Sequence, residues 1–223
     1  MRTWRDMDDF EEFLDTRGVV EPNDAMPESY RQAVFRFIEL HANSEYMGGL
    51  TERDWIPKAP GLHRKLTALA KTQDEIGHAH LLYMVAADLG IKTAIKHAQK
   101  TGIGMVAIKG SGHYGLSGYY AEQAVKKKLI TMIYTNAPPA VAPHGALKSL
   151  FGTNPICFGT PTGTKIPFIL DTSVSMINRG KIRVAARNNQ KIPEGVALDK
   201  FGKPTTDAKK ALEGVQLPIA GFR

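Results

Sequence analysis

The chain has 223 residues, of which 29 are Lys or Arg and 22 are Asp or Glu, and its formal net charge is +7. It contains no run of about 18 apolar residues, which excludes a membrane-spanning helix, and its acidic first residues lack the apolar segment of a secretory signal. The single cysteine, Cys157, excludes an internal disulfide framework, favours a cytoplasmic location and is expected to be buried.

The basic surplus does not indicate a nucleic-acid-binding protein. The basic residues are spread through the C-terminal part, and only Lys126–Lys128 form a compact run. Nucleic-acid sites combine clustered charge with aromatic side chains or a docking motif, and the sequence has neither. A small anionic ligand, such as a phosphorylated cofactor or a carboxylate, accounts for the surplus equally well.

The charge reverses near Gly90. Residues 1–90 hold 10 Lys and Arg against 16 Asp and Glu, whereas residues 91–223 hold 19 against 6. Such an asymmetry is typical of separate modules within one chain. The sequence therefore predicts two domains, 1–90 and 91–223, with a structural break between them.

The acidic part is predicted to form two helices. The first covers 27–48, ends at Gly48-Gly49, and has one face that carries Val34, Ile38, His41 and Glu45. The second covers 60–89 and places Glu75 and His78, which are three residues apart, on one face.

A glutamate on one helix and Glu-x-x-His on the next are half of the ligand set in ferritin-like di-iron bundles. Carboxylate and imidazole groups are the ligands that such irons need. Glu45, Glu75 and His78 are therefore candidate metal ligands, expected to converge. If no metal separates them, the two carboxylates should repel and raise at least one pKa. The alternatives are that Glu45 and His78 are satisfied core groups, or that Glu75 is merely solvated.

Residues 20–90 contain four distinctive segments, Met26-Pro27-Glu28-Ser29-Tyr30-Arg31, His41-Ala42-Asn43-Ser44-Glu45, Trp55-Ile56-Pro57-Lys58-Ala59-Pro60 and Ala70-Lys71-Thr72-Gln73-Asp74-Glu75-Ile76-Gly77-His78. On these segments, residues 20–90 resemble the catalytic subunit of the phenylacetyl-CoA epoxidase family. The resemblance implies a ferritin-like fold, iron bound by Glu45, Glu75 and His78, an oxygen-activating partner complex and an aryl-CoA substrate in phenylacetate catabolism. That family needs two further helices with a second acid and a second Glu-x-x-His, which this chain does not contain.

The basic part alternates short helices with buried strands. Helices are predicted over 91–100 and 119–128, and strands over 104–109, 130–134 and 166–170. Turns rich in Gly, Pro, Thr and Asn follow these strands. Because α/β proteins gather their binding groups at strand ends, we expect the functional residues in these turns.

His113 lies between glycines directly after the first predicted strand. A histidine there can exchange a proton near neutral pH, or it can serve only to bind the backbone of its turn, and the pattern does not decide between the two. No Gly-x-Gly-x-x-Gly follows the strand, so the usual dinucleotide-binding fingerprint is absent from the sequence.

Residues 91–223 contain a series of short motifs in order, Ser111-Gly112-His113-Tyr114-Gly115, Tyr119-Tyr120-Ala121, Thr135-Asn136, Gly152-Thr153-Asn154-Pro155, Asp171-Thr172-Ser173, Ile192-Pro193-Glu194-Gly195, Gly202-Lys203-Pro204-Thr205-Thr206-Asp207 and Leu217-Pro218. On these motifs, residues 91–223 resemble the malate/L-lactate dehydrogenase family, whose fold binds its nicotinamide cofactor without a Rossmann unit. Members reduce 2-oxo acids or related imines with NADH or NADPH.

This resemblance implies that His113 is the catalytic acid and base. It also implies NAD or NADP as cofactor, a small 2-oxo or 2-hydroxy acid as substrate, and a homodimer. Arg223 stands where the family has the lysine of a Gly-x-Lys-Gly segment and keeps a positive charge for a cofactor phosphate. The remaining implied cofactor-binding residues are Thr135, Asn136, Asp171, Thr172 and Ser173.

One part of the family pattern is missing. The family binds the substrate carboxylate with an Asp-x-x-His-Gly segment and an arginine of its helical N-terminal region, and nothing before Gly90 matches them. The sequence thus predicts a mixed fold, a helical hairpin (half of a ferritin-like bundle) followed by an α/β non-Rossmann dehydrogenase core. The predicted function is NAD(P)-dependent oxidoreduction of a 2-hydroxy acid, impaired by truncation. The alternatives are a di-iron oxygenase subunit and a non-catalytic chimera of two fragments.

Overall fold

A computed structural model of the chain describes residues 2–16, 18–20, 24–219 and 221. These residues form a mixture of helices and short strands, in agreement with the predicted class. The chain divides into two compact units, the first ending at Gly115 and the second beginning at Leu116. No helix within the described ranges combines the length and the apolar character that crossing a bilayer requires.

The first unit is helical. Helix α1 spans Met7–Asp15, α2 spans Glu28–Arg53 and α3 spans Leu62–Thr101. Helices α2 and α3 pack together as an antiparallel hairpin, with Ala42 and Ala79 fully buried between them. Such small side chains let two helix backbones approach closely.

The predicted end of the first helix at Gly48-Gly49 is wrong, because α2 continues to Arg53. Gly49 is buried against α3, where an added Cβ would lie 2.8 Å from Cγ1 of Ile76. A glycine inside a helix costs only about 1 kcal/mol relative to alanine. The close contact with α3 offsets this cost, and Gly49 therefore serves helix packing rather than helix termination.

The predicted structural break at Gly90 is also wrong. Helix α3 continues through this residue and ends at Gly102, whose φ of 86° terminates it in the left-handed conformation. Gly90 is buried, and an added Cβ would lie 2.6 Å from Cδ1 of Ile108. The separate helix predicted over 91–100 is thus the last part of α3.

The strand predicted over 104–109 is wrong as well. Residues 103–109 have no regular secondary structure and lie against α3. An added Cβ at Gly104 would approach the carbonyl oxygen of Ala94 to 1.9 Å, and Ile108 covers Gly90. A strand requires backbone pairing with a neighbour, and here the side chains of Val106 and Ile108 lie against Gly90 of the helix instead.

The second unit begins with helix α4, Ser117–Val125, and a three-stranded sheet of β1 (Thr131–Tyr134), β2 (Ile156–Thr160) and β3 (Phe168–Thr172). The sheet has the order β1-β2-β3 and both pairings are antiparallel. The helix over 119–128 and the strands over 130–134 and 166–170 were predicted close to these positions, whereas β2 was not predicted.

Cys157 of β2 is fully buried, as expected. Burial raises the pKa of its thiol to about 11, and the nearby Asp171 acts in the same direction. The thiol is therefore protonated at neutral pH and behaves as a small apolar side chain.

The rest of the second unit consists of α5 (Arg179–Arg187), β4 (Ala197–Leu198), α6 (Ala208–Glu213) and β5 (Val215–Gln216). Strands β4 and β5 form a two-stranded antiparallel sheet. Asp207 caps α6 by accepting hydrogen bonds from the N–H groups of Lys209 and Lys210. These bonds hold the pKa of Asp207 below its usual value. The core of this region contains Ile182, Ala186, Ile192, Val196, Ala197, Ala208 and Ala211.

Substituting two glycines of the hairpin tests how it packs. Gly77→Ala should raise the free energy of unfolding by up to about 1 kcal/mol, because alanine favours the helix and the added methyl meets open space. Gly49→Ala should give no such gain, because its Cβ would clash with Ile76. Thermal and urea unfolding of the two variants provide the comparison. Equal stabilisation by both substitutions would contradict the close contact at Gly49.

Candidate functional site

The sheet of the second unit gathers three polar segments at one edge. Tyr134 at the end of β1 pairs with Ile156 at the start of β2, and Ile156 pairs with Thr172 at the end of β3. Strand β2 is antiparallel to both of its neighbours. The ends of β1 and β3 therefore lie beside the start of β2, and the three segments that adjoin them meet at the same edge. The predicted cofactor-binding residues Thr135, Asn136, Asp171, Thr172 and Ser173 all lie on the two outer segments.

Hydrogen bonds connect the three segments. The Ala137 N–H donates to Oδ1 of Asn154 at 2.9 Å, and the Val174 N–H donates to the carbonyl of Thr153 at 2.8 Å. Gly152 is buried, and an added Cβ would lie 2.0 Å from the Ala137 carbonyl oxygen. The Gly-Thr-Asn-Pro turn therefore holds the segments after β1 and β3 in place.

Asp171 has a structural contact that sequence reasoning missed. Its Oδ2 accepts a hydrogen bond of 2.8 Å from the N–H of Gly118, in the first turn of α4. Leu116, at the N-cap of this helix, has no side-chain oxygen to supply the cap itself. Asp171 thus caps α4 from β3, and a negative charge is favourable at this end of a helix. The sequence held one signal of this contact. Leu116 cannot cap α4 with its own side chain, so a capping oxygen had to come from another segment.

Hydroxyl and amide groups occupy the rest of this edge. Asn136 is exposed, and Thr135, Thr172 and Ser173 are half-buried. The hydroxyls of Ser173 and the buried Ser175 lie 3.2 Å apart. The edge thus offers neutral donors and acceptors close to an accessible carboxylate.

His113 belongs to the first unit and is exposed. Its Nδ1 accepts a hydrogen bond of 3.1 Å from the N–H of Gly115, and its ring centroid lies 5.6 Å from that of His80. An accepting Nδ1 leaves the proton of the neutral ring on Nε2. The acid and base role that the resemblance implies for His113 stays a prediction, and Arg223 lies outside the described residues.

In the hairpin, the structure brings together the three predicted metal ligands. One ligand atom from each of Glu45, Glu75 and His78 lies within 4.8 Å of the others. Nδ1 of His78 is 3.4 Å from Oε2 of Glu45. The two glutamates are half-buried and the histidine is exposed, so the cluster is open to solvent on one side.

The expected rise in a carboxyl pKa does not hold for Glu75. A hydrogen bond with Glu45, together with one from the ammonium group of Lys71, holds the pKa of Glu75 below its ordinary value. Lys71 also forms an ion pair of 3.1 Å with Glu52. The positive charge of Lys71 favours the ionised form of Glu75, and the expectation of a raised pKa did not take this charge into account. Lys71 lies four residues before Glu75, a spacing that could have revealed the ion pair in the sequence.

Comparison with known proteins finds matches to two families. Residues 67–223 match the family described as malate/L-lactate dehydrogenase, and residues 1–99 match the family described as phenylacetic acid catabolic protein. Both resemblances deduced from the sequence are thereby confirmed. The two matches overlap within α3, the helix that continues through Gly90.

Three relatives illustrate the larger match. Malate/(S)-sulfolactate dehydrogenase of Methanothermus fervidus is 46% identical over 65% of this chain and 42% of its own length. The (2R)-3-sulfolactate dehydrogenase (NADP(+)) of Chromohalobacter salexigens is 42% identical over 62% of this chain and 42% of its own length. The structure of sulfolactate dehydrogenase from Methanocaldococcus jannaschii superimposes with a TM-score of 0.58 at 45% identity, over 62% of this chain and 40% of the other.

The chain therefore spans about 40% of the length of the relatives it matches. The matched family segment nevertheless covers more than half of this chain, and the protein belongs to the malate/L-lactate dehydrogenase family.

Proposed function

We propose that the second unit binds a nicotinamide cofactor and that the chain is an NAD(P)-dependent oxidoreductase of the 2-hydroxy-acid type. The observation that carries the proposal is the sheet edge, where one antiparallel register gathers five of the six predicted cofactor-binding residues, all except Arg223. Family membership supports the same assignment.

The residues at the edge fit such a cofactor in part. The amide of Asn136 and the hydroxyls of Thr135, Thr172 and Ser173 have the hydrogen-bonding character that suits a carboxamide and ribose hydroxyls. The carboxylate of Asp171 does not suit a phosphate group, and its contact with α4 gives it a structural task instead. We therefore assign nicotinamide and ribose binding to the four neutral side chains, and helix capping to Asp171.

His113 is the proposed proton donor and acceptor. A bound nicotinamide would supply the hydride. The Gly115 N–H bonded to Nδ1 sets the tautomer, so that Nε2 carries the proton that a substrate oxygen can take up.

The substrate class follows from the named relatives. Malate and sulfolactate are both 2-hydroxy acids with a second anionic group, and relatives from two organisms are named for them. We propose the corresponding 2-oxo acids as substrates. Because no Asp-x-x-His-Gly segment precedes residue 91 to orient the carboxylate, turnover should be slow. Misplacement of a substrate by about 1 Å can cost on the order of 100-fold in rate.

The His113→Ala variant tests the catalytic assignment. With oxaloacetate or 3-sulfopyruvate as substrate, NADPH and NADH oxidation should fall roughly 100-fold or more, because a general acid is removed. His63→Ala provides the matched control, since His63 is an exposed histidine in the first turn of α3. The rates are measured as the loss of the near-ultraviolet absorbance of the reduced nicotinamide. Equal rates for the wild type and His113→Ala would contradict the proposed role.

Two substitutions of Asp171 separate capping from cofactor binding. Asp171→Ala should lower the free energy of unfolding by about 1 kcal/mol because α4 loses its cap. Asp171→Asn keeps an oxygen that can accept from Gly118 and should retain most of that stability. The folded protein of either variant should bind NADPH with the affinity of the wild type in a fluorescence titration. Loss of NADPH binding in an Asp171→Asn variant that keeps its stability would show that Asp171 belongs to the cofactor site.

We also propose that Glu45, Glu75 and His78 bind one divalent metal ion. The observation that favours this site is the convergence of the three ligand atoms, and the match of residues 1–99 to a phenylacetic acid catabolic protein supports it. Carboxylate and imidazole are suitable ligands for iron in a ferritin-like bundle, of which this hairpin would be one half. Three ligands fit one ion, whereas a bridged pair needs more than one hairpin provides.

Calorimetric titration with Mn²⁺ tests the metal site. Glu45→Ala and His78→Ala should each weaken binding by at least about tenfold, because each removes one of three ligands. Glu39→Ala is the matched control, since Glu39 lies on the same helix but near Gly110 and outside the cluster. Equal affinity in all three variants would exclude the cluster as the binding site.

A further inference from the structure

We propose that two copies of this chain associate through their α2–α3 hairpins, so that the two clusters together hold a pair of divalent metal ions. This inference rests on the metal site proposed above and adds its partner, a second copy of the chain. The residues concerned all lie on α2 and α3 of the first unit.

The first argument is the number of ligands. Each hairpin supplies one glutamate from α2, Glu45, and one Glu-x-x-His pair from α3, Glu75 and His78. Four-helix di-iron sites use one glutamate from each of two helices and one Glu-x-x-His from each of the other two. Two copies of this hairpin supply that complete set, and within the described residues one copy supplies half of it. A two-fold axis between two copies can bring their ligand sets together. Each copy then needs only one contact surface, because an isologous interface uses the same patch on both subunits.

The second argument is an exposed apolar stripe on α3 next to the ligands. Leu81 and Val85 lie three and seven residues after His78, which places all three on the same side of the helix. Leu81 is 60% exposed and Val85 is 46% exposed, although leucine and valine are usually buried. Leu82 and Leu89, at four and eleven residues after His78, are only half-buried on the same side.

Helix α2 continues this surface. His41 lies one turn before Glu45, and Phe37 lies one turn before His41, with the two ring centroids 4.1 Å apart. Phe37 is 59% exposed. Both helices thus present apolar side chains on the side where their ligands meet. Exposed apolar patches of this kind mark association sites in soluble proteins.

Electrostatics makes the association depend on metal. Two clusters brought face to face place four carboxylates close together, and the Lys71 ammonium group of each copy, which pairs with Glu75, offsets only part of their mutual repulsion. Divalent ions shared across the axis remove this repulsion and add ligand bonds. By thermodynamic linkage, metal should then favour the dimer and the dimer should bind metal more tightly than the single chain does.

The experiment uses the full chain, freed of metal by a chelator and then titrated with Mn²⁺. Sedimentation velocity should show the mass of one chain without metal and of two chains with it. Elemental analysis should find one Mn²⁺ per chain. Electron paramagnetic resonance should show a spin-coupled Mn²⁺ pair in place of the six-line spectrum of isolated ions.

Val85→Asp tests the interface without removing a ligand. A buried like charge from each copy should weaken the dimer by roughly 100-fold or more, with loss of the coupled spectrum, while single-ion binding persists. Leu66→Asp is the control, because Leu66 is an exposed leucine of α3 that lies about 120° around the helix from His78. Far-UV circular dichroism verifies that both variants keep their helices.

The outcomes separate the two proposals. If the wild type binds no Mn²⁺, the metal site itself is wrong. If it binds Mn²⁺ as a single chain at every protein concentration, the metal site stands and the association is wrong. A dimer that Val85→Asp and Leu66→Asp leave equally intact also overturns the association through this surface.

Discussion

The candidate cofactor site depends on the antiparallel register of β1, β2 and β3. Tyr134, Ile156 and Thr172 are paired across the sheet, which places the segments after β1 and β3 on either side of the turn that enters β2. A shift of one residue would turn Cys157 away from the core and move the flanking segments. The burial of Cys157 and the contact of Gly152 with Ala137 both maintain this register. The geometry of the candidate cofactor site therefore follows from three short strands.

The first unit depends on a different constraint, the close packing of α2 on α3. Gly49, Ala42 and Ala79 are small enough to let the helices approach, and the ligands of the cluster come together as a result. The packing uses one side of each helix and leaves Phe37, Leu81 and Val85 exposed. Each unit thus carries a set of candidate functional side chains.

Sequence reasoning was most successful where short-range patterns dominate. Helical spacing identified Glu45, Glu75 and His78 as neighbours, and the turn residues after β1 and β3 were located within a residue or two. It was wrong where tertiary contacts override local preference. Gly49 and Gly90 were interpreted as helix ends, but each faces a bulky side chain that fills the space a Cβ would take. The contact of Asp171 with α4 joins residues 53 positions apart, and only the structure reveals such a contact.

The central claim is that this chain transfers hydride between a nicotinamide and a 2-oxo acid. The most direct measurement is isotopic. NADPH and NADH deuterated at either face of C4 are incubated with oxaloacetate or 3-sulfopyruvate, and the product is examined by mass spectrometry, which detects slow turnover. The proposal predicts deuterium at C2 of the hydroxy acid from one face only. Absence of deuterium from both faces, at the level of heat-denatured protein, would contradict it.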